Sequence, residues 1–156
     1  MNRLEFENRA LELTPALYRI ALSILRQDAD ARDAVQLALL KAWEKRDRIE
    51  PEKFRAYVSR IAVNVCRDEQ RRRMRISPVE TLPERPDLSP DYRELYEALQ
   101  ELPEHLRLCA VLKYLQGYSE QEAAQTLKIP VSTFRNRLHR ARKALRKMLD
   151  REVTFE

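Results

Sequence analysis

Between Ser77 and Pro90 four prolines fall within 14 residues, and no other feature of the chain constrains its fold as much. Proline fixes φ and carries no amide proton, so at that density neither a helix interior nor a central strand can continue. The stretch predicts an extended, flexible linker over 77–91, with separate domains at 1–76 and 92–156. Each lobe has only ~65–75 residues, a size at which a lone core is marginal and a bound partner commonly helps.

Charge follows the same division. Residues 1–76 hold 17 basic and 12 acidic side chains, residues 77–91 hold one and four, and residues 92–156 hold 12 and nine. The overall +5 is therefore two basic blocks around an acidic bridge, which suits a protein that meets a polyanion at two places. An apolar fraction of 44% predicts a folded chain. The single glycine, Gly117, excludes both G-x-G-x-x-G and Walker loops, and with them the common nucleotide-dependent enzymes. Cys66 and Cys109 lie in apolar-periodic segments and read as small buried hydrophobes. His105 and His139 have no Cys or His beside them, so no zinc site of familiar spacing is present. No catalytic residue, metal or cofactor is expected. Nor does any apolar run approach the ~20 residues that span a bilayer. The mixed-charge start, Met1 to Arg9, is unlike a signal peptide, so a cytoplasmic protein without membrane insertion is expected.

Both lobes read as helices, and the fold class is all-α. Leu17, Ile20, Ala21, Ile24 and Leu25 recur at three and four, with Thr14-Pro15 as the predicted start. A second helix begins near Asp30 and carries Ala34, Val35, Ala38, Leu39, Ala42 and Trp43. Pro51 opens a third, striped by Phe54, Tyr57, Val58, Ile61, Ala62 and Val65, which ends in the basic run Arg67 to Arg73. The second lobe starts at Ser89-Pro90 with Tyr92, Leu95, Tyr96 and Leu99; Pro103 restarts a helix that Gly117 closes.

Residues 117–149 carry the most information. Ser119-x-x-Glu122 is a capping box that predicts a helix from about Glu120 to Leu127. Lys128-Ile-Pro130 breaks it, Ser132 supplies a new cap, and Phe134, Leu138, Ala141, Leu145 and Met148 form the next apolar stripe. The other faces hold Arg135, Arg137, Arg140, Arg142, Lys143, Arg146 and Lys147, with almost no acidic relief. Helix, short turn and capped basic helix make a helix-turn-helix, whose second helix places its N-terminal residues on base edges in the major groove. Ser132, Thr133, Arg135, Asn136 and Arg137 lie there, and the last four are of types that read base edges. Arg140, Arg142 and Lys143 lie further along and suit phosphates.

These residues, with others in the first lobe, resemble the extracytoplasmic-function (ECF) sigma factors of bacterial RNA polymerase. In the first lobe the resemblance rests on Leu17-Tyr-Arg-Ile-Ala21, Asp30-Ala-Arg-Asp-Ala-Val-Gln36, Ala42-Trp43, Phe54-Arg-Ala-Tyr57, Arg60-Ile-Ala62, Asn64 and Asp68-x-x-Arg71. In the second it rests on Leu102-Pro103, Gly117-Tyr-Ser, Glu122-x-Ala124, Ile129-Pro-Val131 and Arg137-Leu-His-Arg-Ala-Arg142. The resemblance implies that Asp30, Asp33 and Gln36 grip the β′ clamp helices of core RNA polymerase, with the β flap as a second contact. It implies that Arg60, Asn64, Arg67 and Arg71 face the −10 element, and that a loop near 46–53 captures a flipped base. The helix-turn-helix would read the −35 element of promoter DNA, and an anti-sigma factor would cover the polymerase-binding faces. Phe54, Tyr57 and Trp43 fall on apolar stripes and are expected in the core rather than stacked on bases.

Four positions depart from the family pattern. Leu37 stands where an acid is usual, Arg32 where Glu is common, Lys128 where the turn usually has Gly, and Phe134 where a small branched residue is usual. The alternative reading is a stand-alone helix-turn-helix regulator on a sigma-like scaffold. A metal-dependent nuclease on Asp28, Asp30 and Asp33 is a third, weakened because no second carboxylate cluster accompanies them.

Overall fold

The computed structural model describes residues 1–76 and 90–149, and among them every regular element is helical. The proline-dense linker, the place of Tyr92 on its stripe and Arg151 lie outside the described residues. The first domain comprises α1 (Arg3–Leu25), α2 (Asp28–Glu44) and α3 (Phe54–Ile76). The second comprises α4 (Pro90–Glu101), α5 (Glu104–Ala110), α6 (Glu120–Leu127) and α7 (Val131–Leu149).

α1 starts well before the predicted Thr14-Pro15. The Asn2 side chain caps it by accepting from Glu5 N at 2.8 Å, and Phe6, Ala10 and Leu13 extend the buried stripe toward the N-terminus. Pro15 sits mid-helix. Its missing amide removes only the bond to Leu11 O, and Leu11 is 72% exposed, so this carbonyl lies on the wetted side. The Thr14 hydroxyl donates to Ala10 O at 2.7 Å, inside the helix rather than at its cap. α2 begins two residues before Asp30, directly after Arg26 closes α1 in the left-handed conformation. Between α2 and α3 the chain makes two short 3₁₀ turns, Arg46–Arg48 and Pro51–Lys53. Phe6 packs edge-on against both Trp43 (5.2 Å) and Phe54 (5.7 Å), which fixes the end of the bundle.

In the second domain, α5 gives way to a π-helical turn at Val111–Leu115, where Gln116 N donates to Val111 O at 3.0 Å. Gly117 then takes φ +68, the conformation expected of the residue that ends this segment. The inner stripe of α7 is Phe134, Leu138, Ala141, Leu145 and Leu149. Met148 is 44% exposed and not part of it, because a step of four from Leu145 stays on the buried face where a step of three leaves it.

The two domains are packed against each other. One core cluster runs from Phe6, Leu17 and Val58 through Cys66 and Leu112 to Tyr118, Phe134 and Leu138. α3 is the shared wall. Beyond the stripe visible in the sequence it has a second buried face, Ser59, Val63 and Cys66, directed at the second domain. Ser59 Oγ and Tyr118 OH share a hydrogen bond of 2.7 Å. Arg55 grips Glu122 with two donors, Nε at 2.9 Å and Nη2 at 2.5 Å, while its guanidinium lies 4.3 Å from the centre of the Tyr118 ring. Further along, Gln70 donates to Glu104 at 2.8 Å. The sequence suggests two lobes on a leash; the described residues form one body.

Candidate nucleic-acid interface

The helix-turn-helix is built by local chemistry. Ser119 accepts from Glu122 N at 3.1 Å while Glu122 Oε1 accepts from Ser119 N at 3.1 Å, completing the capping box. Lys128 ends α6 at φ 56, a conformation that costs a non-glycine residue about 1 kcal/mol. Ile129 N then donates to Ala124 O at 3.0 Å, so the turn returns its amides to the open end of α6. α7 begins at Val131 and Phe134 N donates to Pro130 O at 3.0 Å, so Ser132 lies inside the first turn instead of capping it. Phe134 is fully buried and anchors α7 to the core.

Burial of that stripe turns the remaining residues outward. Ser132, Asn136, Arg140 and Lys143 are exposed and share one face by their spacing of four, four and three. Thr133 and Arg137 flank it and are half-buried. Arg135 is exposed and held by Glu120 at 2.5 Å. Arg142 is half-buried; its Nε is enclosed without an acceptor, and its guanidinium reaches the Tyr114 hydroxyl. Arg137, Arg140, Lys143 and Lys147 form no ion pair among the described residues. Such a row of unneutralised cations is stable beside a polyanion and repulsive without one.

The candidates of the first domain are less uniform. On α3, Asn64 and Arg71 are exposed, although Asp68 holds Arg71 at 2.6 Å. Arg60 and Arg67 are half-buried, and Arg67 lies 3.9 Å from Glu104 across the domain boundary. In the 46–53 segment, Arg46 covers the Trp43 ring at 3.9 Å and Ile49 is buried, leaving Asp47, Arg48, Glu50 and Lys53 exposed. Phe54 is buried and Tyr57 half-buried, as their stripe predicts.

On α2, Asp33 and Gln36 are exposed, whereas Asp30 is ion-paired with Arg73 of α3. Leu37 and Leu40 share the exposed face with Asp33 and Gln36 at spacings of four and three, which makes that face half apolar. Leu40, one turn beyond Gln36 and 61% exposed, is the second leucine of this face beside Leu37. Asp28 accepts from the Tyr18 hydroxyl at 2.6 Å and pairs with Arg32 at 3.2 Å; the phenol bond, ahead of Arg32, holds its carboxyl below the usual range. Asp28 and Asp30 are thus committed to protein partners. No cluster of three or more potential metal ligands occurs among the described residues.

Known proteins are similar to this chain in sequence and arrangement. Residues 11–76 match the family model described as Sigma-70 region 2, and residues 92–145 match Sigma-70, region 4. The chain is 33% identical over 147 residues to the ECF RNA polymerase sigma factor SigE of Mycolicibacterium smegmatis, covering 85% of this chain and 57% of that one. It is 31% identical to the RNA polymerase sigma-E factor of Streptomyces coelicolor, covering 94% and 86%. To the ECF RNA polymerase sigma-E factor of Escherichia coli K12 it is 32% identical, covering 74% and 72%. Among solved structures, the sigma factor RpoE bound to the anti-sigma factor NepR, from Bartonella quintana, superposes with a TM-score of 0.83 at 29% identity, covering 95% of this chain and 98% of that one. CnrH in complex with the cytosolic domain of CnrY gives 0.73 at 29% identity, covering 96% and 90%.

Proposed function

Since the chain belongs to the ECF sigma factors of the sigma-70 family, we propose that it docks on core RNA polymerase and directs initiation at promoters by contacting both the −10 and −35 elements. The observation that carries this reading is the outward face of α7: four cations without an ion pair among the described residues, on a helix whose inner stripe fixes its orientation. In a helix-turn-helix this face enters the major groove. Thr133, Asn136 and Arg137 then meet base edges, with Arg140 and Lys143 on phosphates. Asn64 and Arg71 of α3 support contact with the −10 strand, and Asp33, Gln36, Leu37 and Leu40 of α2 form the polymerase-binding face. An anti-sigma factor is the second partner, by analogy with the complexes of the related structures.

Geometry requires the domains to part. Sites 25 base pairs apart are separated by about 85 Å at 3.4 Å per step. A docked body of this length is only about 40 Å across. Both elements can be reached together only if the contacts made by Arg55 and Ser59 open.

Run-off transcription with purified core polymerase tests the reading. Transcripts that depend on the promoter and on this chain are expected, and Asn136→Ala with Arg137→Ala should abolish them at promoters that need the −35 element. DNA binding without such transcripts would instead identify a stand-alone regulator.

A further inference from the structure

A second cationic site lies where α1, α3 and the start of α5 meet. A cleft of about 830 Å³ is lined there by Arg26, Arg71, Arg73, Arg75 and Arg107, with Leu25, Met74 and Pro103 among its apolar walls. Its volume is in the range of small-ligand pockets rather than of a surface for a macromolecule. Two of the five arginines are neutralised: Arg71 by Asp68, and Arg73 by Asp30 and Glu69. The one carboxylate of the lining, Glu104, is engaged by Gln70 and Arg67.

The other three form no ion pair among the described residues, although Glu104 lies close enough to Arg107 to act on its charge. Arg75 is exposed at the rim. Arg26 donates to a carbonyl, Gln100 O, at 3.3 Å. Arg107 is the telling one. It is 2% exposed, its Nη1 donates to Leu102 O at 3.0 Å, and its Nε is buried without an acceptor. Burial, then the like charge of Arg26, push its pKa down to about 10, against the smaller opposing pull of Glu104 and Tyr96. A buried guanidinium with an unused donor beside a second cation is costly, and Glu104, already engaged by Gln70 and Arg67, offsets only part of that cost.

We propose that this cleft binds a triphosphate-length oligophosphate, free or carried by a nucleoside, held between Arg26, Arg75 and Arg107. The guanidinium fork matches phosphate oxygens in pairs, and three cations without an ion pair among the described residues match a chain of three or four negative charges. The lone glycine excludes a glycine-rich phosphate loop, but arginines from three elements converge on the cleft. Because α1 and α3 belong to the first domain and α5 to the second, the bound anion holds the domains together by mass action.

Isothermal titration of the full chain with sodium tripolyphosphate near physiological salt tests the site. One equivalent is expected to bind and to raise the thermal midpoint. Arg26→Asn keeps a residue that tolerates the left-handed conformation of that position while removing the cation, and should weaken binding at least tenfold. Arg107→Met should do the same. The double variant Arg140→Ala with Lys143→Ala should bind as the parent does. ATP in place of tripolyphosphate separates the two sources: equal affinity assigns recognition to the phosphates alone, and tighter binding adds the nucleoside. Unchanged binding by Arg26→Asn, or loss of binding in the α7 double variant, overturns the proposal in favour of nonspecific adsorption to the basic helix.

Discussion

α3 and α7 are both long helices rich in arginine, and they dispose of their charge in opposite ways. α3 carries seven arginines, of which Arg55, Arg67, Arg71, Arg72 and Arg73 are ion-paired. Two of those pairs, to Glu122 and Glu104, reach across to the second domain. α7 carries seven cations and leaves four of them without a carboxylate among the described residues. The cause lies in the neighbours. α3 is a wall between two domains, flanked by acids on its own turns and on α2, α5 and α6, whereas α7 packs by one apolar stripe and has Glu120 beside its outer face. Similar helix charge thus serves protein–protein docking in one place and remains available to a polyanion in the other.

The largest effect that probes this contrast is on stability. Phe134→Ala should cost about 3–5 kcal/mol, the usual loss for truncating a buried phenylalanine. Urea unfolding should remain a single transition, because Phe134 belongs to the same core as Phe6 and Leu17. Two transitions would show that the α7 domain stands apart from α3. Next comes the salt dependence of DNA binding. Each phosphate contact contributes a slope of about 0.9, so Arg140→Ala with Lys143→Ala should flatten it by about two units. Arg55→Ala should leave the slope unchanged, since that charge is directed at protein. Arg142→Ala, whose guanidinium faces Tyr114, should change it less than Arg140→Ala does.

Smaller effects sharpen the docking side of the comparison. Arg55, then the Ser119 amide, hold the Glu122 carboxyl below its ordinary range against the opposing effect of burial. A depressed acid contributes stability above its unfolded pKa, and that stability is lost as pH falls through the folded one. Unfolding free energy should therefore drop on acidification below about pH 4.5, where an unperturbed Glu titrates. Glu122→Gln should flatten that limb at a cost of ~1 kcal/mol or less, the range for a part-exposed pair. The smallest expected signal is chemical: burial pushes the Cys66 thiol up to about 12 and Cys109 to about 11. Neither should alkylate at pH 8 in the native chain, and Cys66, on the docking face of α3, should become reactive once the domains separate.

The helices and the helix-turn-helix were legible in the sequence because both rest on local rules. Three-and-four spacing marks an inner stripe, and Ser119, Glu122 and the Lys128-Ile-Pro130 break act within a few residues of themselves. Docking was not legible. The second face of α3 consists of Ser59, Val63, Cys66 and Gln70, too small and polar to register as a stripe beside Phe54, Val58 and Ala62. The burial of Arg107 depends on a carbonyl five residues away and on α1, which no periodicity reports. Pro15 marks no helix start, because a proline does so only where the chain before it cannot be helical, and Arg3 through Leu13 is helical.

The docked body is expected to open when polymerase and promoter are engaged. Dyes on Glu12→Cys in α1 and Gln125→Cys in α6, both exposed positions, will report the distance between the domains by single-molecule energy transfer, with the buried native thiols left unlabelled. High transfer is expected for the free chain, falling to a low value when core polymerase and promoter DNA are added together. High transfer that persists in complexes producing run-off transcripts would contradict the account.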